Sequence, residues 1–269
     1  MIFGRKENEK QTLYRGMEYK INNAIYLIIK DFLGAAVRAG RNTVQSGNRC
    51  GDSLLIDLEN NFYAVADGTE KNPSASQSFL NKIHVMLDSL KSHAGIDNLS
   101  VNDVEKRFHK IIGETNSIVK TIRYNDNTTF TAIVFVQHIR RALLLHTGDS
   151  MFYHFRIDGG TVEKISQTNH CFVGRIDVLY QTKLIDYYPD SRFLLATDGL
   201  YDLVRDMRVS TSGKLEKELL ALLKTSPVEQ FPRMLIEMCD VKPEMSDDLG
   251  LVVINPDYED IPNRSYYLL

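Results

Sequence analysis

Apolar residues fall in short runs along the chain, and the period of each run predicts an element. Ser53-Leu54-Leu55-Ile56-Asp57-Leu58 and Phe62-Tyr63-Ala64-Val65-Ala66 flank the turn Glu59-Asn60-Asn61, which predicts a β-hairpin. From Ser74, a suitable N-cap, to about Ser92, the residues Phe79, Leu80, Ile83, Leu87 and Leu90 recur at helical steps. Val104, Phe108, Ile111, Ile112 and Ile118 predict a second helix over roughly Val101 to Ile122, and the short polar connection makes the two an antiparallel pair. Strands follow. Thr128–Gln137 and Arg141–Thr147 turn around His138-Ile139-Arg140, and Met151–Ile157 and Thr161–Ile165 turn at Asp158-Gly159-Gly160. Cys171 to Asp186 is less regular and reads as a flap and an edge strand. Phe193–Thr197 is a strand, Lys214–Lys224 and Pro227–Met238 are helices, the latter opened by Ser226-Pro227, and Leu249–Ile254 is the last strand.

At the start, Leu13, Met17, Ile21, Ile25, Ile28, Phe32 and Ala36 recur at three- and four-residue steps, Leu27 and Ile29 widen the stripe, and Gly40 follows as a cap. That predicts a helix over Gln11–Ala39. The plain reading packs it on its own domain; the sharper one makes it a regulatory or self-association helix. The chain then divides into a helical extension over 1–41, a main domain over 42–256 and a tail over 257–269. Strands in hairpins with helices in pairs indicate an α+β fold of antiparallel sheets flanked by helices, and the absence of alternating βαβ units argues against a doubly wound sheet.

Composition changes this picture little. A hydrophobic content of 43%, a charged content of 25% and a net charge of -3 are ordinary for a globular domain and do not favour a nucleic-acid partner. Cys50, Cys171 and Cys239 form no CxxC pair, so a reducing compartment, the cytoplasm, is the simplest expectation. Met1 to Lys10 is charged and unlike a secretory signal, and no apolar run is long enough to span a membrane.

The chemistry sits where strands meet acids. Phe193-Leu194-Leu195-Ala196-Thr197-Asp198-Gly199 runs from an apolar strand into a carboxylate at a turn, and so does Phe62-Tyr63-Ala64-Val65-Ala66-Asp67-Gly68. Ser246-Asp247-Asp248 directly precedes Leu249, and Gly148-Asp149-Ser150 breaks two strands. The hairpin sets Asp52 near Asp67. Carboxylates on stiff strands, far apart in sequence, suit a hard cation such as Mg²⁺ or Mn²⁺. Taken singly, each Asp-Gly is also a turn signal. Asp248 and Asp202 read as caps. His146, His170, His138 and His154 match no metal-ligand spacing, and His84, His93 and His109 read as residues on solvated helix faces. Cys50 and Cys171 read as inert small residues.

Asp52 before a strand, Ala64-Val65-Ala66-Asp67-Gly68, Thr128-Thr129, Thr147-Gly148-Asp149-Ser150, Leu194-Leu195-Ala196-Thr197-Asp198-Gly199-Leu200-Tyr201-Asp202 and Asp247-Asp248, in this order, resemble the metal-dependent phosphatases of the protein phosphatase 2C family. The resemblance spans roughly Val44 to Pro256. It implies an αββα sandwich with a centre of two Mg²⁺ or Mn²⁺ ions at one edge, and a third, weaker ion in some members. Carried over, Asp67 bridges the two ions and the carbonyl of Gly68 adds a ligand. Asp198 and Asp247 bind one ion, Asp52 holds waters behind them or completes the coordination, and Asp149 joins Asp198 at the third position. The implied activity is hydrolysis of phosphoserine and phosphothreonine in a phosphoprotein substrate by a metal-activated water.

Departures fall on the substrate side. Gly51 stands where the family has an acid or amide, and Thr69-Glu70-Lys71-Asn72-Pro73 where it has a glycine-rich run. Gly47 stands where many members hold phosphate with arginine, and Met151 where arginine is common. Arg49, or Arg41, is the nearby substitute. These changes keep a second reading open, in which the same sandwich binds a phosphoprotein or partner without turnover.

Overall fold

The computed structural model describes residues 16–21, 24–68, 74–90, 100–201, 214–240, 247–258 and 265–268. Two antiparallel sheets lie face to face. One runs in the order β1 (Gly16–Ile21), β2 (Ala24–Ile29), β3 (Leu33–Arg38), β12 (Leu249–Ile254), β11 (Ser191–Ala196), β8 (Met151–Arg156), β9 (Thr161–Lys164). The other runs β10 (Gln181–Asp186), β7 (Arg141–Thr147), β6 (Phe130–Val136), β5 (Phe62–Asp67), β4 (Asp52–Asp57), β13 (Ser265–Leu268).

Side-chain alternation builds the layers. Along β11, Phe193 and Leu195 point between the sheets, toward Tyr63, Val65 and Phe135 of the facing sheet. Leu194 and Ala196 point outward, onto Leu219 and Leu223 of α4 (Lys214–Thr225) and Leu235 of α5 (Phe231–Asp240). Along β5, Phe62, Ala64 and Ala66 point the other way, onto Phe79 and Ile83 of α2 (Ala75–Leu90) and Phe108 of α3 (Val101–Thr121). Both faces of the central strands are therefore covered, which is why their sequences read as unbroken apolar runs. This is the expected αββα sandwich, with a short helix α1 (Arg41–Ser46) between β3 and β4.

The ends of the chain differ from expectation. The stretch read as a helix over Gln11–Ala39 holds three antiparallel strands within 16–38, with Ala24 opposite Arg38 and Ile29 opposite Leu33. Residues 1–15 and 22–23 lie outside the description. With both faces of β2 and β3 covered, apolar residues sit at almost every position, and a stripe at three- and four-residue steps appears within that run without being a helix. The decisive local signals are the run Ile25-Tyr26-Leu27-Ile28-Ile29, in which four of five residues are β-branched or aromatic, and the turn at Lys30-Asp31, where Asp31 has φ 61°. Self-association through a helix at this end loses its basis. The tail also enters the sandwich: Ser265–Leu268 pairs with β4, Tyr267 opposite Leu55, and covers an edge that would otherwise stay open. Pro227 opens a 3₁₀ turn, Val228–Gln230, and α5 starts only at Phe231.

Candidate metal centre

Strand register brings the acids together. Asp52 is opposite Asp67 across the β4–β5 hairpin. Val65 is opposite Thr131 and Phe130 opposite Thr147, so the same end of the sheet continues to Gly148 and Asp149. In the facing sheet Ala196 is opposite both Met151 and Leu251, which brings Asp198 and the start of β12 to that end as well.

Asp67, Asp149 and Asp198 each offer a carboxylate oxygen, and the three oxygens lie within 4.8 Å of one another. All donors are oxygen, the preference of Mg²⁺ and Mn²⁺. Electrostatics fits the same ions. Burial, then the Asp198 charge, push the Asp67 carboxyl up to about 8, with Asp247 and Asp149 adding to the rise. Burial likewise raises Asp149. Acids crowded out of water keep protons unless cations replace them. The residues present fit a divalent site.

Asp52 lies behind this group. Its side chain is buried, its carboxyl is raised by burial and then by Asp67, and it accepts a hydrogen bond from Thr197 Oγ1 at 2.6 Å. Asp247 is exposed and outside the triad; its charge acts on Asp67, and its Oδ1 accepts from the Asp248 backbone N at 2.9 Å. The backbone of Gly68 donates to the Gly51 carbonyl at 3.0 Å. A Cβ at Gly51 would lie 2.6 Å from the Gly68 oxygen, which accounts for glycine at that departure. Arg49 is exposed, and among the described residues it makes no ion pair.

Four supporting residues escaped the sequence reading. Thr129 Oγ1 accepts from the Asp67 backbone N at 3.0 Å and bonds Ser150 Oγ at 2.7 Å. Thr197 Oγ1 accepts from Gly250 N at 2.8 Å while donating to Asp52. Asp248, read as a cap, accepts from the backbone N of Gly40 at 2.7 Å and of Gly51 at 2.6 Å, and so ties the approach to β4 to the start of β12. Asn169 bonds Gly148. Both threonines stand in the quoted motifs, and Thr197, directly before Asp198, was a readable signal; Asn169 and the two donors to Asp248 follow only from tertiary contact. At the far end of β4, His84 is partly buried rather than on a solvated face, with Nδ1 3.5 Å from Asp57 and Nε2 3.5 Å from Asp88. His146 is buried between Thr131 and the Gln167 carbonyl, and burial lowers it to about 4.

Residues 60–257 match the family of stage II sporulation protein E, SpoIIE. The chain belongs to the SpoIIE family. Its αββα sandwich is the protein phosphatase 2C-type fold of the solved structures it matches. Among solved structures, PppA, a key regulatory component of the T6SS in Pseudomonas aeruginosa, is 17% identical with a TM-score of 0.61, over 82% of this chain and 96% of that one. The catalytic domain of the serine/threonine protein phosphatase PstP, in complex with two manganese ions, is 19% identical with a TM-score of 0.59, over 88% and 99%. RsbX, in complex with magnesium, is 14% identical with a TM-score of 0.55, over 94% and 100%. At these identities the likeness is one of fold. No curated protein matches the sequence. No helix among the described residues is long and apolar enough to cross a membrane.

Proposed function

We propose that this SpoIIE-family chain is a metal-dependent phosphatase acting on phosphoserine and phosphothreonine in proteins. The observation that carries the reading is the convergence of the Asp67, Asp149 and Asp198 carboxylates within 4.8 Å of one another, from segments far apart in sequence. Asp67 and Asp198 hold the principal ions, Asp149 a further one, and Asp247, beside them at the surface, completes the set. Gly68 offers its carbonyl. Bound Mg²⁺ or Mn²⁺ supplies neutralising charge and activates water toward the phosphorus of a phosphate monoester. Asp52, held by Thr197 and opposite Asp67 across the hairpin, supports it from behind. Arg49, exposed just ahead of β4, is the cation assigned to the substrate phosphate.

The test is hydrolysis of an aryl phosphate and of a phosphothreonine peptide with Mn²⁺ added, against Asp67→Asn. Turnover that Asp67→Asn abolishes supports the enzyme. Peptide binding with no turnover above that variant replaces it with the reading as a binding module.

A further inference from the structure

Between β9 and β10 the chain runs over residues 165–180 without a named strand or helix and returns to the acids at Asn169. Asn169 is buried, with 8% of its surface exposed. Its Oδ1 accepts from two backbone donors, Gly148 N at 3.0 Å and Cys171 N at 2.9 Å. Its own backbone N donates to the Gly148 carbonyl at 3.0 Å. Both backbone polar groups of Gly148 therefore end on one residue, and the next residue in the chain is Asp149. Nδ2 of Asn169 donates to the Gln167 carbonyl at 2.9 Å and lies 3.4 Å from Nε2 of His146. Thr147 Oγ1 adds a bond to the Cys171 carbonyl.

The turn gripped in this way has little freedom of its own. Gly148 sits at φ +102°, and a Cβ there would lie 2.8 Å from the side chain of Thr129. Thr129 in turn holds the Asp67 backbone N. A shift of 165–180 therefore pulls on the Gly148 peptide, and the Gly148 peptide aims Asp149.

We propose that Asn169 is a positioning residue that clamps the 165–180 segment to the Gly148–Asp149 turn, so that divalent-ion uptake by Asp149 and ordering of that segment are coupled. The proposal rests on the metal reading above. Coupling is reciprocal: an ion held at Asp149 orders the segment, and a ligand that orders the segment tightens the ion. The segment carries exposed Val178 and Tyr180, so a phosphoprotein touching them would be such a ligand.

Mn²⁺ calorimetry and amide hydrogen exchange over 147–173, with and without Mn²⁺, test this on the full chain. In the wild type, Mn²⁺ should slow exchange at Gly148 and Cys171. Asn169→Ala should lose that slowing and weaken the Asp149-dependent uptake about tenfold. Asn169→Asp keeps both acceptor bonds and should restore the slowing. Asp149→Asn should remove the slowing at Cys171 while Asp67 and Asp198 still take up metal, and it decides the matter if Asn169→Ala does not fold. Wild-type affinity and wild-type slowing in Asn169→Ala, or slowing that persists in Asp149→Asn, overturns the clamp alone. No Mn²⁺ uptake by the wild type removes the metal reading and the clamp with it.

Discussion

Thr197 donates its hydroxyl hydrogen to the carboxylate of Asp52 over 2.6 Å, although 145 residues separate the two in sequence. One stands at the end of β11 and the other at the start of β4, so the bond crosses from one sheet to the other directly behind the acids. Gly250 N donates to the same hydroxyl oxygen at 2.8 Å. Thr197→Val keeps the shape and leaves both groups without this partner. It should destabilise the fold by about 1–3 kcal/mol in urea denaturation, whereas Thr197→Ser stays near wild type. Equal midpoints for valine and wild type would count against the bridge.

Asp248 satisfies Gly40 N and Gly51 N with one carboxylate, at 2.7 Å and 2.6 Å. Asp248→Ala leaves both buried donors unpaired, and a loss of about 2 kcal/mol or more is expected by the same measurement. Mn²⁺ uptake should weaken too, because Gly51 leads directly into Asp52.

Gly199 follows Asp198 where the chain passes under β12. An added Cβ would lie 1.9 Å from the Asp248 carbonyl oxygen, a backbone atom that cannot swing aside. Gly199→Ala should cost about 3 kcal/mol or more, seen as a lowered thermal midpoint or as insoluble protein. A midpoint within a degree of wild type would mean that the two backbones are not this close.

Without metal, stability should depend on pH through Asp67. Its folded carboxyl is raised from 3.8 to about 8 by burial and then by Asp198. Below about pH 4 both folded and unfolded chains hold this proton. Between there and about pH 8 only the folded chain does, so stability falls as pH rises through that window. His146, lowered by burial from 6.5 to about 4, acts the other way: stability is lost as pH falls from 6.5 toward 4. Thermal melts in chelator should therefore show declining stability toward pH 8, and Mn²⁺ should remove that decline by replacing the protons. A chelated protein that gains stability up to pH 8 would contradict the crowding of Asp67 and Asp198.

The helices of the middle of the chain were readable because one repeating period covers each, and its hairpins because turn residues such as Glu59-Asn60-Asn61 and Asp158-Gly159-Gly160 bound short apolar runs. Asp67 and Asp198 were readable because an acid following an apolar strand is a local pattern. Residues 24–38 were misread because a strand buried on both faces has no polar side, and a continuous apolar run carries no usable period. The pairing of Ser265–Leu268 with β4 is not legible in the sequence, because nothing in four residues tells which edge they join.

Residue order alone determined which segments become strands in most of the sandwich and which acids stand at their ends. Only the folded chain decided which of those acids meet: Asp149 joins Asp67 and Asp198, while Asp52 turns back to Thr197 and Asp247 remains at the surface. The physical reason is that hydrophobic patterning acts locally along the chain. The few ångströms that make a carboxylate a ligand or a support depend instead on the register of strands distant in sequence and on hydrogen bonds such as those of Asn169, which no periodicity encodes.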